Sequence, residues 1–268
     1  IGEPGLLGDV AGVMAGSTLQ FNHDGRGPRA SINHVTVHDG FTLTDLVSYE
    51  HKHNEENGED NRDGSDDNAS TNCGAEGPTD DPEINRTRRQ LRRNQLACLL
   101  LAQGVPLILA GDEAGNTQNG NNNAYAQDNA TGWVDWSKRG TEDDLSDFVH
   151  QLSELRRRFP QLKLHAWLKG KREDGSYDIK WLTPAGAEMA EADWNFAEGR
   201  FLSYVLAAPD EHGQPLYIVL NAAQQPVDFT LPEWPNVRHW ANAIDTGEDG
   251  DRVGSGAPGT GLSARRLT

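Results

Sequence analysis

The chemistry of this chain starts at residues 32–40, Ile-Asn-His-Val-Thr-Val-His-Asp-Gly. Ile32, Val35, Thr36 and Val37 are β-branched and suit a buried strand. The strand pattern stops at His38-Asp39-Gly40, an imidazole and a carboxylate followed by a chain breaker. Parallel α/β enzymes present reactive groups in this way, because the residue just past a rigid strand faces the cleft. The competing reading makes Asp39 a cap for the short helix that follows. A second chemical stretch carries Asn116, Gln118, Asn121, Asn122, Asn123, Tyr125, Gln127, Asp128, Trp133 and Trp136. Amides and aromatics together suit a sugar, whose hydroxyls take hydrogen bonds and whose ring face stacks on an indole. Packing is the competing role for Trp133 and Trp136. A third, Glu59-Asp60-Asn61-Arg62-Asp63-Gly64, invites a calcium reading. It lacks the ligand spacing of an EF-hand and the Glu that closes one, so it reads as a hydrogen-bonded polar loop and no metal is expected.

The elements that must position these groups follow from periodicity. A short helical pattern covers 10–19, the strand 32–39, and about two helical turns 42–49. A polar loop, 51–79, is long enough to be functional or disordered. Asp81-Pro82 starts a helix that runs to about 103 and is ended by Gly104 and Pro106. Its first half carries Arg86, Arg88, Arg89, Arg92 and Arg93, read as a solvated face pairing with nearby acids rather than an anion site. A second buried strand spans 105–110 and ends in Gly111-Asp112-Glu113. A strand ending in acids, a long loop, a helix and another such strand imply a parallel sheet with helical crossovers. Residues 144–159 form an amphipathic helix stopped by Pro160. The period then changes: 177–182, 201–207, 216–221, 227–231, 238–244 and 262–268 read as short strands of a small antiparallel β domain, with a Gly-, Asp- and Ser-rich loop at 247–261. The expected fold class is therefore α/β plus all-β, divided as 1–162 and 163–268.

The totals narrow the function. A formal charge of −17 over 268 residues argues against nucleic acid and anionic membranes and suits a neutral substrate. The mean hydropathy of −0.70 marks a polar, loop-rich chain. Cys73 and Cys98 make no disulfide framework, and Cys98 in its apolar run reads as a buried thiol. No apolar run is long enough to cross a bilayer. The chain opens on Ile1 without Met or a signal pattern, so the gene product is expected to start upstream.

A set of motifs covers most of the chain from about residue 20. It comprises Val35-Thr36-Val37-His38-Asp39-Gly40-Phe41-Thr42-Leu43, then His51-Lys52-His53-Asn54-Glu55 through Asn61-Arg62-Asp63-Gly64, then Asn72-Cys73-Gly74 with Glu76-Gly77-Pro78-Thr79. Gly104-Val105-Pro106 through Gly111-Asp112-Glu113 follow, then Gly120-Asn121-Asn122-Asn123-Ala124-Tyr125, and Trp181-Leu182-Thr183-Pro184 with Glu188-Met189 and Asp193-Trp194. With these residues the chain resembles the C-terminal portion of bacterial glycogen debranching enzymes of the isoamylase type, in the α-amylase superfamily.

The resemblance implies that 31–39 and 105–110 are the last two strands of a TIM-type barrel, that 144–159 is its last helix, and that an antiparallel β-sandwich, cut before its final strand, follows. It implies a parent that hydrolyses α-1,6 branch linkages of glycogen or a related α-glucan by a retaining mechanism, without cofactor, in the cytoplasm. Asp39 matches the family's transition-state-stabilising aspartate and His38 its neighbour on the same sugar, with Asn122, Tyr125 and Trp133 as further substrate contacts. Retaining hydrolysis needs a nucleophile and a general acid about 5 Å apart. The family carries them on earlier strands, so they are expected upstream of Ile1 and the isolated chain is expected to be inactive. Spacing alone would nominate Asp39 and Glu113 as that pair, but Glu113 matches neither role and is expected to shape the pocket wall or hold a loop. A non-catalytic α-glucan-binding protein, a starch isoamylase relative and an acidic calcium-binding module are the alternatives.

Overall fold

The computed structural model describes residues 2–210, 212–247 and 265–267. In chain order the regular elements are helices α1 (Leu7–Met14) and α2 (Thr18–Phe21), strand β1 (Ile32–Asn33), helix α3 (Pro82–Leu101), strand β2 (Val105–Pro106) and helix α4 (Ser146–Arg158). Strand β3 (Ile179–Leu182), helix α5 (Glu191–Trp194) and strands β4 (Phe201–Leu206), β5 (Leu216–Asn221), β6 (Val227–Phe229) and β7 (Arg265–Leu267) complete the order. They fall into two compact units, one of residues 1–31, 101–105 and 155–268, the other of 32–100 and 106–154.

In the first unit β3, β4 and β5 form an antiparallel sheet, with Trp181 opposite Tyr204 and Tyr204 opposite Ile218. β4 is central, and Leu202, Ser203, Tyr204, Val205 and Leu206 are all buried, as a strand covered on both faces requires. Helix α1 buries Leu7, Ala11 and Met14, spaced i, i+4, i+7 on one stripe. Leu7 and Ala11 join Leu202 in an apolar cluster packed by Trp181, Met189, Trp194 and Leu220. Buried Gln103 draws the rest of this unit together. Its backbone N–H donates to the Met14 carbonyl at 3.0 Å, its amide donates to Gln161 O at 2.6 Å, and its side-chain oxygen accepts from Leu164 N at 3.2 Å. The N-terminal 31 residues thus belong to the same compact unit as the β region, whereas the sequence divides at residue 162 by its change of period. The cause is non-local: an apolar helix stripe finds its cover on β4, nearly two hundred residues away.

A separate pair, β6 and β7, is antiparallel. The strand expected at 238–244 is irregular instead. Trp240 there packs on Tyr217 with ring centroids 5.8 Å apart and donates its indole N–H to Pro232 O at 2.9 Å. Residues 248–261 of the expected Gly-rich loop lie outside the described residues.

The second unit is organised by α3. Asp81 caps it, its carboxylate accepting from Glu83 N at 2.9 Å, and Pro82 holds the first helical position. Leu96, Leu99 and Leu100 are buried on it. β1 and β2 pair through Val105 N to Ser31 O and Leu107 N to Asn33 O, both at 2.8 Å. The register advances in the same sense along both strands, so the pairing is parallel, as a strand–helix–strand connection demands. The ladder is much shorter than the expected 32–39 and 105–110. Residues 34–40 bend, 107–110 are irregular, and Ile32 is 60% exposed. β-branched residues favour a strand only where neighbours cover them, and here each strand has one partner over two residues. Only the last two strands of a barrel are expected within 1–162; β1 and β2 pair as two neighbouring parallel strands would, and by themselves they do not show a barrel.

Candidate functional site

His38 and Asp39 stand at the tip of the bend after β1. Their side chains are 87% and 81% exposed, with His38 Nε2 and Asp39 Oδ2 3.6 Å apart. The tip is held from below by one buried side chain, Asp112. Its Oδ2 accepts from the Thr36 hydroxyl and its Oδ1 from Leu43 N at 2.9 Å. Thr36 and Leu43 bracket His38-Asp39, so one carboxylate fixes both ends of the projecting turn. Asp112 is 2% exposed, and burial pushes its pKa up to about 6 against the pull of those two hydrogen bonds. Asp45 repeats the device one turn further on. It is wholly buried, accepts from the Thr117 hydroxyl and from Gln118 N at 2.7 Å, and is also shifted upward by burial. The two carboxylates thereby dock segment 36–47 onto segment 112–118.

The amide-rich loop is tied to the same tip. Gly40 N donates to Asn122 O at 3.0 Å. The Asn122 side chain, however, is turned inward. It is 3% exposed, its oxygen accepts from Asn54 Nδ2 at 2.8 Å, and its amide hydrogens go to Ser65 O at 2.8 Å and Asn68 Oδ1 at 2.7 Å. The Asn54 side-chain oxygen in turn accepts from Asn122 N at 2.9 Å. Both amide hydrogens expected for a sugar are therefore spent inside the protein, and Asn122 acts on the site through the loops it joins. Gly64 completes this joint. Its φ is +70°, and a Cβ there would lie 2.2 Å from the Asn122 side-chain oxygen. Asp63 accepts from Asn57 at 2.7 Å and Asn123 at 2.8 Å, which lowers its pKa. The 59–64 run is thus a hydrogen-bonded loop. Among the described residues no three His, Cys, Asp or Glu side chains gather as a metal would require.

Tyr125 and Trp133 follow on that loop. Tyr125 is 87% and Trp133 59% exposed, and the Trp133 indole donates to Asp128 at 3.0 Å. Their ring faces, with that of half-exposed Trp136, are available for stacking. Glu113, the alternative carboxylate, accepts from Gly111 N at 3.1 Å and so holds its own turn. Sequence reasoning missed three carboxylates that shape the site: Asp112, Asp45 and Glu76. Glu76 is partly buried, which alone would raise its pKa. The N–H groups of Glu50 and His51 and the side chains of Asn72 and His53 outweigh that and hold it near 2. The only signal for Asp112 was its place at the end of the second expected strand, beside the more conspicuous Glu113.

The arginine face of α3 also differs from expectation. Arg88 and Arg92 are buried rather than solvated. Arg92 meets Asp143 at 2.8 Å and Arg89 meets Glu142 at 2.9 Å, the acid pairing expected. Arg88 instead donates to the carbonyls of Gly77 and Asn72, each at 2.8 Å, and of Ala75.

The exposed His–Asp tip braced by buried carboxylates stands beside a loop of amides and aromatic faces, on a chain with a C-terminal antiparallel sheet. Residues 178–261 match the family described as "Isoamylase, C-terminal". The chain is related to the C-terminal portion of isoamylase-type glycogen debranching enzymes, as the motifs implied. Over 260 residues, 92% of the chain, it is 42% identical to the "Glycogen operon protein GlgX homolog" of Mycobacterium tuberculosis (strain ATCC 25618 / H37Rv). Over 226 residues, 84% of the chain, it is 45% identical to the "Glycogen debranching enzyme" of Serratia proteamaculans (strain 568). It spans 36% and 32% of those proteins, about a third of their length. In fold it resembles the type I pullulanase of Bacillus subtilis str. 168 solved with maltose, with a TM-score of 0.63 at 21% identity over 99% of this chain and 30% of that one. The pullulanase of Bacillus acidopullulyticus gives a TM-score of 0.61 at 18% identity, over 98% and 26%. Among the described residues no helix is long and apolar enough to cross a membrane.

Proposed function

We propose that this chain is part of a glycoside hydrolase that cleaves α-1,6 branch linkages of glycogen or a related α-glucan in the cytoplasm with retention of configuration. The observation that carries the reading is the 42% identity, over 92% of the chain, to a protein named for the glycogen operon. Cleavage of a glycosidic bond passes through an oxocarbenium-like state, and hydrogen bonds from the sugar hydroxyls to a carboxylate strengthen as that charge develops. Asp39 is the carboxylate in this role, and His38 beside it donates to the same sugar. Tyr125 and Trp133 stack on neighbouring glucosyl rings. Asn122 contributes by holding Gly40 and the loop bearing Tyr125. The nucleophile and general acid come from polypeptide outside this chain, which by itself does not hydrolyse glucan. The exposure of His38 and Asp39 supports this, since a carboxylate of 81% exposure lacks the walls of a closed cleft.

The test is the full-length gene product on a branched glucan. Asp39→Asn should lower kcat by about two to three orders of magnitude, the scale of one preorganised stabilising group, with KM little changed. Undiminished turnover in that variant removes Asp39 from the chemistry. Glucan binding by the full-length wild-type protein without hydrolysis turns the reading to a non-catalytic binder. Reducing sugar released by the 268-residue chain alone refutes the claim of inactivity.

A further inference from the structure

We propose that the cavity over the arginine face of α3 is a binding site for a phosphate group. The cavity is about 250 Å³ and lies within the second unit. Asn85, Arg88, Arg89 and Arg92, spaced i, i+3, i+4, i+7, present one face of α3 to it. Lys138 also lines it and donates to Gly115 O at 3.2 Å.

The charge balance singles this place out. Four cationic groups line the cavity, Arg88, Arg89, Arg92 and Lys138, against two carboxylates, Glu142 and Asp143. Two positive charges are left over, in a chain whose formal charge is −17. Arg88 is the source of the imbalance. It is 6% exposed, its terminal nitrogens donate to backbone carbonyls, which do not neutralise it, and its buried Nε has no hydrogen-bond partner among the described residues. A buried charge left without its counterion is costly, and a dianion supplies what is missing. Guanidinium forks with an ammonium suit phosphate oxygens, and the hydroxyl of Thr44 and the amide of Asn119 offer neutral hydrogen bonds around them. Glu142 is a weak rival for Arg89, since its side chain is 84% exposed and a surface pair of this kind contributes little. Size sets the class of ligand. The volume falls just below the roughly 300 Å³ at which ordinary small-molecule pockets begin. It admits inorganic phosphate or a monosaccharide phosphate, and not a length of glucan. The site is separate from the His38–Asp39 tip, whose residues do not line it.

The test is isothermal titration and thermal denaturation of the full-length gene product with inorganic phosphate, against chloride at matched ionic strength. Phosphate should raise Tm saturably where chloride does not. Binding should weaken at least tenfold in the Arg89→Gln/Lys138→Met double variant. It should tighten several-fold in Glu142→Gln, an exposed substitution that leaves the fold intact and so decides the matter should the double variant fail to fold. Glucose 6-phosphate in a parallel titration separates the two sources: tighter binding than phosphate assigns a sugar phosphate, and weaker or equal binding assigns the free ion. A phosphate response no greater than that of chloride, or affinity unmoved in Glu142→Gln, overturns the proposal.

Discussion

Asp112 gives the most exacting test of how the His38–Asp39 tip is built. Its carboxyl is raised from 3.8 to about 6, which corresponds to about 3 kcal/mol of differential interaction between its two protonation states. Burial is the main cause, and Glu113 and Asp45 push the same way. The folded protein therefore binds this proton more tightly than the unfolded chain does. The stability it contributes is complete below about pH 4 and is lost as pH rises through about 6, because above that value folding must keep a buried charge. Asp112→Asn should abolish this dependence. The amide oxygen can still accept from Leu43 N, and the amide hydrogens can donate to Thr36 Oγ, which turns from donor to acceptor. Urea denaturation followed by tryptophan fluorescence, on wild type and variant side by side, cancels every other titrating group. The difference in unfolding free energy should move by about 3 kcal/mol in favour of the variant between about pH 4 and 7. Asp112→Ala behaves otherwise. It strands the buried Leu43 N–H at every pH and should cost about 1–3 kcal/mol throughout, before any cavity is counted. A wild-type minus Asp112→Asn difference that does not change with pH refutes the clamp as described.

Two further outcomes follow from the buried polar joints. Asn122→Ala removes the partner of wholly buried Asn54 and frees the loop carbonyl of Ser65; it should cost about 2–4 kcal/mol in urea denaturation and open residues 59–68 to limited proteolysis. Asp143→Asn leaves the 1%-exposed Arg92 without its counter-charge; because Asp143 is itself half exposed, the expected loss is about 2 kcal/mol, less than for a fully buried pair, while Glu83→Gln, which breaks the exposed pair with Arg86, should change stability by under about 0.5 kcal/mol.

What could be read from the chain alone was whatever is decided within a dozen residues. The start of α3 at Asp81-Pro82, its end before Gly104, and α4 with its apolar stripe and basic last turn all carry their signals locally. β4 and β5 declare themselves by length and apolar content, and both formed within a residue of their expected bounds. The run 32–38 shows the limit of that kind of reading. It has strand composition, but a strand exists only where a ladder does, and β1 has bonds for two residues. Residues 238–244 fail likewise, because Trp240 found an aromatic contact and a carbonyl partner that hold the backbone out of a sheet.

The polar residues were legible by motif and opaque by role, for a physical reason. An Asn or Asp in a loop looks the same whether it faces solvent, ligand or protein, and the choice is made by partners far along the chain. Asn122 faces inward because Asn54, sixty-eight residues earlier, offers both an acceptor and a donor. Asp112 faces inward because Thr36 and Leu43, 76 and 69 residues earlier, offer it donors, while Glu113 folds back to accept from Gly111 N in its own turn. Arg88 is buried because the 72–77 turn presents three carbonyls to one guanidinium. In each case a group that composition assigns to the surface is hydrogen-bonded within the protein, and Asp112 and Asn122 in this way tie down the turn bearing His38 and Asp39. Net gains of about 1 kcal/mol per hydrogen bond would not order so long a loop singly. Asn54, Asp63 and Asn122 order it together, since each would leave a buried or part-buried partner unpaired if it let go. The residues expected to touch substrate therefore depend for their geometry on residues that do not touch it, and exchanging Asp112 or Asn122 should disturb the tip as surely as exchanging Asp39 itself.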